Sequence, residues 1–416
     1  MDASQVTHIT DMLYALRNPA GLPFYPIVFA VLGVLTFALH IFFVQLMLGA
    51  STITLIGAYS ENSYWRRLGA AMLEVAKIAV SVAIVIGVAP LLFVQVLYDS
   101  NWYVSNVLSA VWVIAFIFIL ILGYWAVYYY YFRNYGTEDK TAQPQARWSL
   151  VLGVALLLVV GFIVHSLTVQ IIHPEAWQSW FEQSNGVLDY SGSKLHAWNL
   201  WRFAFFISLS IPVTGALLVA YRRFKSVRPD ADQDYLNWAG ELGKKWIKVG
   251  SVIATVFYIG WMMTIPETAG DFATSFWGIL PGVMVLLYAV WAEVRLKGEA
   301  KFCSYMALPV ALVIGLVVAT GREMLRYDIL NGFFHFNFFD YKLNIDWYST
   351  GLFFGTFLVV GGVVLAYYLT VAWKVGQTKG VYTPSAMVDK LGTLSIWIIA
   401  IWFVHFFGIG LYILAK

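Results

Sequence analysis

The sequence predicts an all-α integral membrane protein, one polytopic domain over residues 1–416 built as a bundle of about ten transmembrane helices. Three observations carry this. Hydrophobic residues make up 60% of the 416 and charged residues only 12%, where a soluble domain has about 25% charged. Apolar stretches long enough to cross a ~30 Å hydrocarbon core recur along the whole chain. Lys and Arg collect on alternate loops.

In order, the candidate spans are 25–58, 68–98, 104–132, 148–172, 200–221, 248–265, 273–294, 303–320, 348–373 and 391–414. Gly, Pro, Asn and Asp mark the breaks between them. Eighteen of the 26 Lys and Arg fall in one set of alternate loops (66–67, 133–147, 222–248, 295–301, 374–390) and seven on the other side. Lys77 alone lies inside a span. By the positive-inside rule the first set is cytoplasmic. Ten spans then place both termini outside, in a bacterial-type inner membrane. The long outer segments 173–199 and 321–347 are rich in Trp, Phe, His and Asp and read as a lid over the helix ends, or as interfacial anchors.

Composition also excludes. A net charge of +3 gives no argument for nucleic acid. A single cysteine, Cys303, rules out an internal disulfide, a cysteine metal cluster and a c-type haem attached through two cysteines. The opening residues read as acidic and polar rather than as a signal peptide. Phosphate loops, a Ser/His/Asp signature and a HExxH zinc spacing are all missing from the sequence.

Ionisable and polar groups at membrane depth are costly and mark candidate sites. His40, in "LTFALHIFFVQLMLGAST", lies about 21 Å of helix rise into the first span. A neutral imidazole there needs either a hydrogen-bond partner or a metal such as haem iron. Glu74 and Lys77 stand one turn apart and can pair; the alternative is a proton-entry group. Pro90 should loosen the second span, and Gln95, about a turn later, could bond a neighbouring helix. His165 and His173, with Gln170 between them, are about 80° apart around the fourth span, so one haem between the two histidines is not expected. His405, in "IWFVHFFGIG", reads as the second buried ligand candidate; a His/His haem would pair His40 with His165 or His405. Arg322, Glu323 and Arg326 in "REMLR" read as an interfacial salt bridge, or as a clamp for a haem propionate, a lipid headgroup or a quinone oxygen.

Four stretches in order, "ALHIFFVQLMLGAS", "IGVAPLLFVQVLYDSNWYVS", "SIPVTGALLVAYRR" and "SFWGILPG", resemble subunit I of cytochrome bd-type quinol oxidases over roughly residues 30–330. The resemblance implies a bd subunit I-like helix bundle with its N-terminus outside, and puts His40 where the family has a haem-ligating histidine. It also shows departures. Gln95 replaces an acid; Phe205 or Phe206 stands where the low-spin haem histidine belongs. The methionine expected after Phe276-Trp277 and the glutamate expected near Leu312 are missing, "GREML" replaces "GRQPW", and the quinol loop shrinks to "PETAGDFATS".

The chain therefore resembles a diverged companion of subunit I. The expected function is a membrane subunit of a bd-like, quinol-linked electron-transfer complex holding zero or one haem b, with quinol as a further possible ligand. Expected partners are a catalytic bd-like subunit I or cytochrome c-type subunits, the quinone pool and the bilayer. One alternative is a catalytic haem oxidoreductase whose ligands come from His40, His165, His173 and His405. A second is a transporter or channel, which paired broken helices or mid-span charge would mark.

Overall fold

The computed structural model describes residues 1–135, 143–182, 186–297 and 301–415. Lys140 and Lys416 of the charge count lie outside them. The described residues are helical apart from connections and two isolated β-bridges. In chain order the helices are α1 (Ala3–Ala15), α2 (Pro26–Tyr59), α3 (Ser63–Leu97), α4 (Asp99–Leu108), α5 (Ala110–Asn134), α6 (Arg147–Gln170), α7 (Trp177–Phe181), α8 (Leu200–Ser208), α9 (Ser210–Lys225), α10 (Gln233–Met262), α11 (Phe276–Arg295), α12 (Lys301–Tyr327), α13 (Trp347–Phe354), α14 (Gly361–Gln377) and α15 (Ala386–Leu414). Among the described residues, nine segments are long and apolar enough to cross a membrane. This is a multi-pass helical membrane protein.

The tenth expected span, 248–265, lies in a helix that begins at Gln233 and is not among the nine; Glu241, Lys244, Lys245 and Lys248 lower its hydropathy. Yet α10 runs antiparallel along the whole of the α8–α9 span. Gly260 packs on the Trp201 ring, Gly250 on Ile211 and Pro212, Gly243 on the Gly215 backbone, and Gly240 on the Arg222 side chain. A Cβ at Gly243 would stand 2.6 Å from the Gly215 carbonyl oxygen. Small residues here let two backbones touch, as in membrane helix pairs.

Other boundaries move for identifiable reasons. Span two starts at Ser63 because Asn62 caps it, accepting from the amides of Tyr64 and Trp65. Span three starts at Ala110, since Ser109 leaves helical geometry and detaches α4. The eighth continues to Phe333, so 321–333 is helix rather than outer loop.

One end of the bundle carries a lid. There α1, closed by an Asp2–Gln5 capping box, packs on segment 334–346. Thr10 donates to the Phe334 carbonyl at 2.7 Å and Tyr14 to Asp340 at 2.7 Å. Arg17 donates to the Asn337 carbonyl at 2.5 Å and stacks on Tyr14, Phe336 and Tyr341. Asp99 accepts from Tyr341 and from the Asn18 amide. Segments 171–182 and 186–199 cover the neighbouring helix ends: Asn101 donates to the Ile171 carbonyl at 3.2 Å and Trp112 to that of Ser193 at 2.8 Å. Sequence reading anticipated the lid from 173–199 but not α1.

The hairpin α13–α15 is different. No residue of α13 or α14 is buried, and in α15 only Val388, Gly392 and Ser395 are. It meets the bundle at a few points, such as Gly376 on Phe224 and Phe93 on Phe353.

Candidate functional site

The site is a chamber of about 390 Å³ between α2, α3, α5, α6, α8 and α12. That is within the ~300–1,000 Å³ of small-molecule and cofactor sites, and its wall is mostly apolar, as theirs are. Polar groups enter at two places.

His40 is the first. It projects from α2 against α3, where its Nδ1 lies 2.9 Å from the Ala83 carbonyl oxygen. A carbonyl only accepts, so Nδ1 carries the proton. Nε2 keeps its lone pair and has no hydrogen-bond partner among the described residues. Gly87, one turn after Ala83, makes room for the ring: a Cβ there would stand 2.8 Å from both Cε1 and Nδ1. Pro90 follows in the same helix and deprives the Ile86 carbonyl of its amide. This stretch of α3 is shaped around the imidazole. Fixing a histidine through Nδ1–H to a carbonyl is how metal-binding histidines are commonly oriented.

Charge enters at the lid end. Arg202 from α8 and Arg322, Glu323 and Arg326 from α12 all line the chamber. Glu323 accepts from Tyr98 at 2.9 Å and pairs with Arg326 at 3.1 Å; Arg322 is 4.0 Å away. The Arg322 guanidinium lies 3.9 Å from the centre of the Phe37 ring. Arg202, 8% exposed, reaches the Thr168 hydroxyl at 3.4 Å. All three arginines and Thr168 also line a vestibule of about 130 Å³ nearer the lid, with His173, Trp198 and Trp261.

The other expected residues separate. His165 lines the chamber with His40, but its Nε2 accepts the Asn199 amide at 3.1 Å. It anchors the start of α8. His173 pairs with Glu175 at 2.9 Å at the vestibule. Gln170, fully buried, donates to the Ser105 carbonyl and hydroxyl and to Ser109, and accepts from the His196 amide at 2.7 Å. It ties the lid to α4 and α5. Gln95 is half-buried, lines neither cavity, and makes no side-chain hydrogen bond among the described residues, unlike the expected bridge. His405 is not buried: it is exposed on α15, bonds the Tyr348 hydroxyl at 3.1 Å, and is not part of the chamber wall. The expected pair does form between Glu74 and Lys77, at 2.7 Å.

Sequence reasoning missed Arg202. Its signal was a cation following the Asn199 helix cap, on the side poor in Lys and Arg. Ala83 and Gly87 carry no side-chain chemistry and gave no signal. Among the described residues no group of three or more His, Cys, Asp and Glu could hold a metal ion. A metal in the chamber would therefore have to be held through a lone imidazole such as His40.

Outside the spans, burial lowers the pKa of the His196 imidazole, which stacks 5.2 Å from Trp180. Hydrogen bonds from Ser191 and the Lys194 ammonium hold the Asp189 carboxyl well below the usual carboxylate range. The lid segment is thus set by a neutral histidine and a charged aspartate.

No protein-family model matches the chain, and no curated protein matches it in sequence.

Proposed function

We propose that this chain is a membrane subunit of a cytochrome bd-like, quinol-linked electron-transfer complex, with His40 as its one ligand for a b-type haem. The lid end faces the outside of a bacterial-type inner membrane. The α10 helix is the tenth crossing, since it matches the α8–α9 span along its length, and both termini lie outside.

The observation that carries the reading is the His40 imidazole in an apolar chamber, with Nδ1 held by Ala83 and Nε2 free. The residues fit the group. Gly87 gives the ring its place, and mostly apolar side chains line the chamber around it. A haem bound there would supply a one-electron carrier. Ala83 fixes the tautomer, and Arg202, Arg322 and Arg326 put positive charge at the lid end of the same chamber.

A companion role follows better than a catalytic one. His165 offers no free Nε2, and His405 is not part of the chamber wall. Of the two imidazoles that line the chamber, His40 is the one whose unprotonated ring nitrogen has no hydrogen-bond partner among the described residues. Catalysis and quinol oxidation would then fall to a bd-like subunit I, or electrons would pass to cytochrome c-type subunits.

A pyridine haemochrome spectrum of the purified chain, beside His40→Ala, tests this. A b-type signal that is lost in the variant is the expected result. No haem in folded wild-type protein would overturn the cofactor assignment. Purification from the native membrane should also bring down a bd-like or cytochrome c-type partner.

A further inference from the structure

We infer that Arg202, Arg322 and Arg326 form a binding site for an oxyanion carrying two negative charges. The observation is a charge imbalance. Three guanidinium groups line both the chamber and the vestibule, and among the described residues Glu323 is the one carboxylate that lines either. Two positive charges are left over. Arg326 is 5% exposed, Arg202 8%, and the Arg322 side chain 11%. At this burial an unmatched cation is expensive unless an opposite charge faces it.

The hydrogen-bond pattern points the same way. Nε of Arg322 and Nε of Arg326 are buried and have no hydrogen-bond partner among the described residues. Among the described residues the Arg202 guanidinium hydrogen-bonds only a neutral hydroxyl, at 3.4 Å, and lies 5.8 Å from the centre of the Trp261 ring. Guanidinium groups match carboxylate and phosphate oxygens in pairs. A dianion between the three would supply the missing acceptors and cancel the excess charge together.

The dianion has two possible sources with one chemistry. It can be the acidic head of an amphiphile lying in the apolar chamber, or a free oxyanion entering through the vestibule. The vestibule, at about 130 Å³, suits a group the size of phosphate. This inference stands on the charge balance and not on a haem at His40.

The experiment is a titration of the purified chain, freed of haem and lipid, with inorganic phosphate at constant ionic strength set by chloride. Trp198 and Trp261 line the vestibule and report through fluorescence; a rise in thermal midpoint is the second readout. Dodecyl phosphate is titrated in parallel. Saturable binding of either supports the site. Phosphate binding assigns entry by the vestibule; dodecyl phosphate binding alone assigns the head of a chamber ligand. Arg202→Met should weaken binding at least tenfold without lowering the midpoint of the unliganded protein, and Arg202→Lys should restore most of it. His40→Ala should leave the affinity unchanged, which separates this site from the haem reading. No response of the wild type to either probe would overturn the proposal, and so would an unchanged affinity in Arg202→Met.

Discussion

The His40 ring and Gly87 are in such close contact that a single methyl group at residue 87 would stand 2.8 Å from two ring atoms. Neither side can give easily. His40 is tied to the Ala83 carbonyl, and Gly87 sits in the middle of α3. Gly87→Ala should therefore displace the imidazole. Overpacking of this kind costs ~1–3 kcal/mol, and haem content should fall with it. Gly161→Ala is the control: its new Cβ would meet Phe203 at an ordinary 3.8 Å. Exchanging a helical glycine for alanine there should be neutral or stabilising by ~0.5–1 kcal/mol. Haem absorbance and thermal midpoints of the two variants check the contrast.

His405→Ala separates the two buried-ligand expectations. Its ring bonds Tyr348 on an exposed hairpin and is not part of the chamber wall. Haem content should stay at the wild-type level, with only a small loss of stability from one exposed hydrogen bond. A loss of haem equal to that of His40→Ala would show that the hairpin closes over the site.

Gln170 gives the largest expected stability effect. Its amide serves Ser105, Ser109 and the His196 amide from a fully buried position. Gln170→Leu leaves the His196 amide without its acceptor, at ~1–3 kcal/mol, and removes the bonds to Ser105 and Ser109, at ~0.5–1.5 kcal/mol each, although both hydroxyls keep a backbone carbonyl. A total of at least ~2 kcal/mol is expected, and the lid segment should exchange its amide hydrogens faster than the bundle does. A variant with wild-type stability would refute the tie.

The fold was legible because a chain this apolar has few choices in lipid. Backbone groups must pair internally, and helices do that within one segment. The α10 boundary was not legible, because Glu241, Lys244, Lys245 and Lys248 lower its hydropathy while glycine contacts set its packing. His40 stood out as a polar group among apolar neighbours. His405 looked the same and proved exposed. In a membrane helix the lipid face is as apolar as the core face, so hydrophobic periodicity cannot separate the two. The arginine cluster was half legible: "REMLR" showed its α12 part, but Arg202 joins it through the tertiary fold.

The last prediction concerns pH and the lid. His196 donates from Nε2 to the Leu108 carbonyl at 3.3 Å and stacks on Trp180. Burial lowers its pKa, the Leu108 hydrogen bond opposes that, and Lys194 and Asp189 act in opposite directions. The folded lid therefore holds the ring neutral at a pH where the unfolded segment would already bind a proton. Between the folded value and the unfolded ~6.5, the unfolded state carries more protons, so stability rises with pH. The contribution is complete above pH ~6.5 and is lost as the pH falls below it. Hydrogen exchange over the described lid residues, corrected for intrinsic rates, should be slow at pH 7.5 and faster at pH 5.5. His196→Gln keeps a donor for Leu108 and does not titrate, so its lid should exchange alike at both values. If the variant kept the wild-type pH response, another group would be the switch.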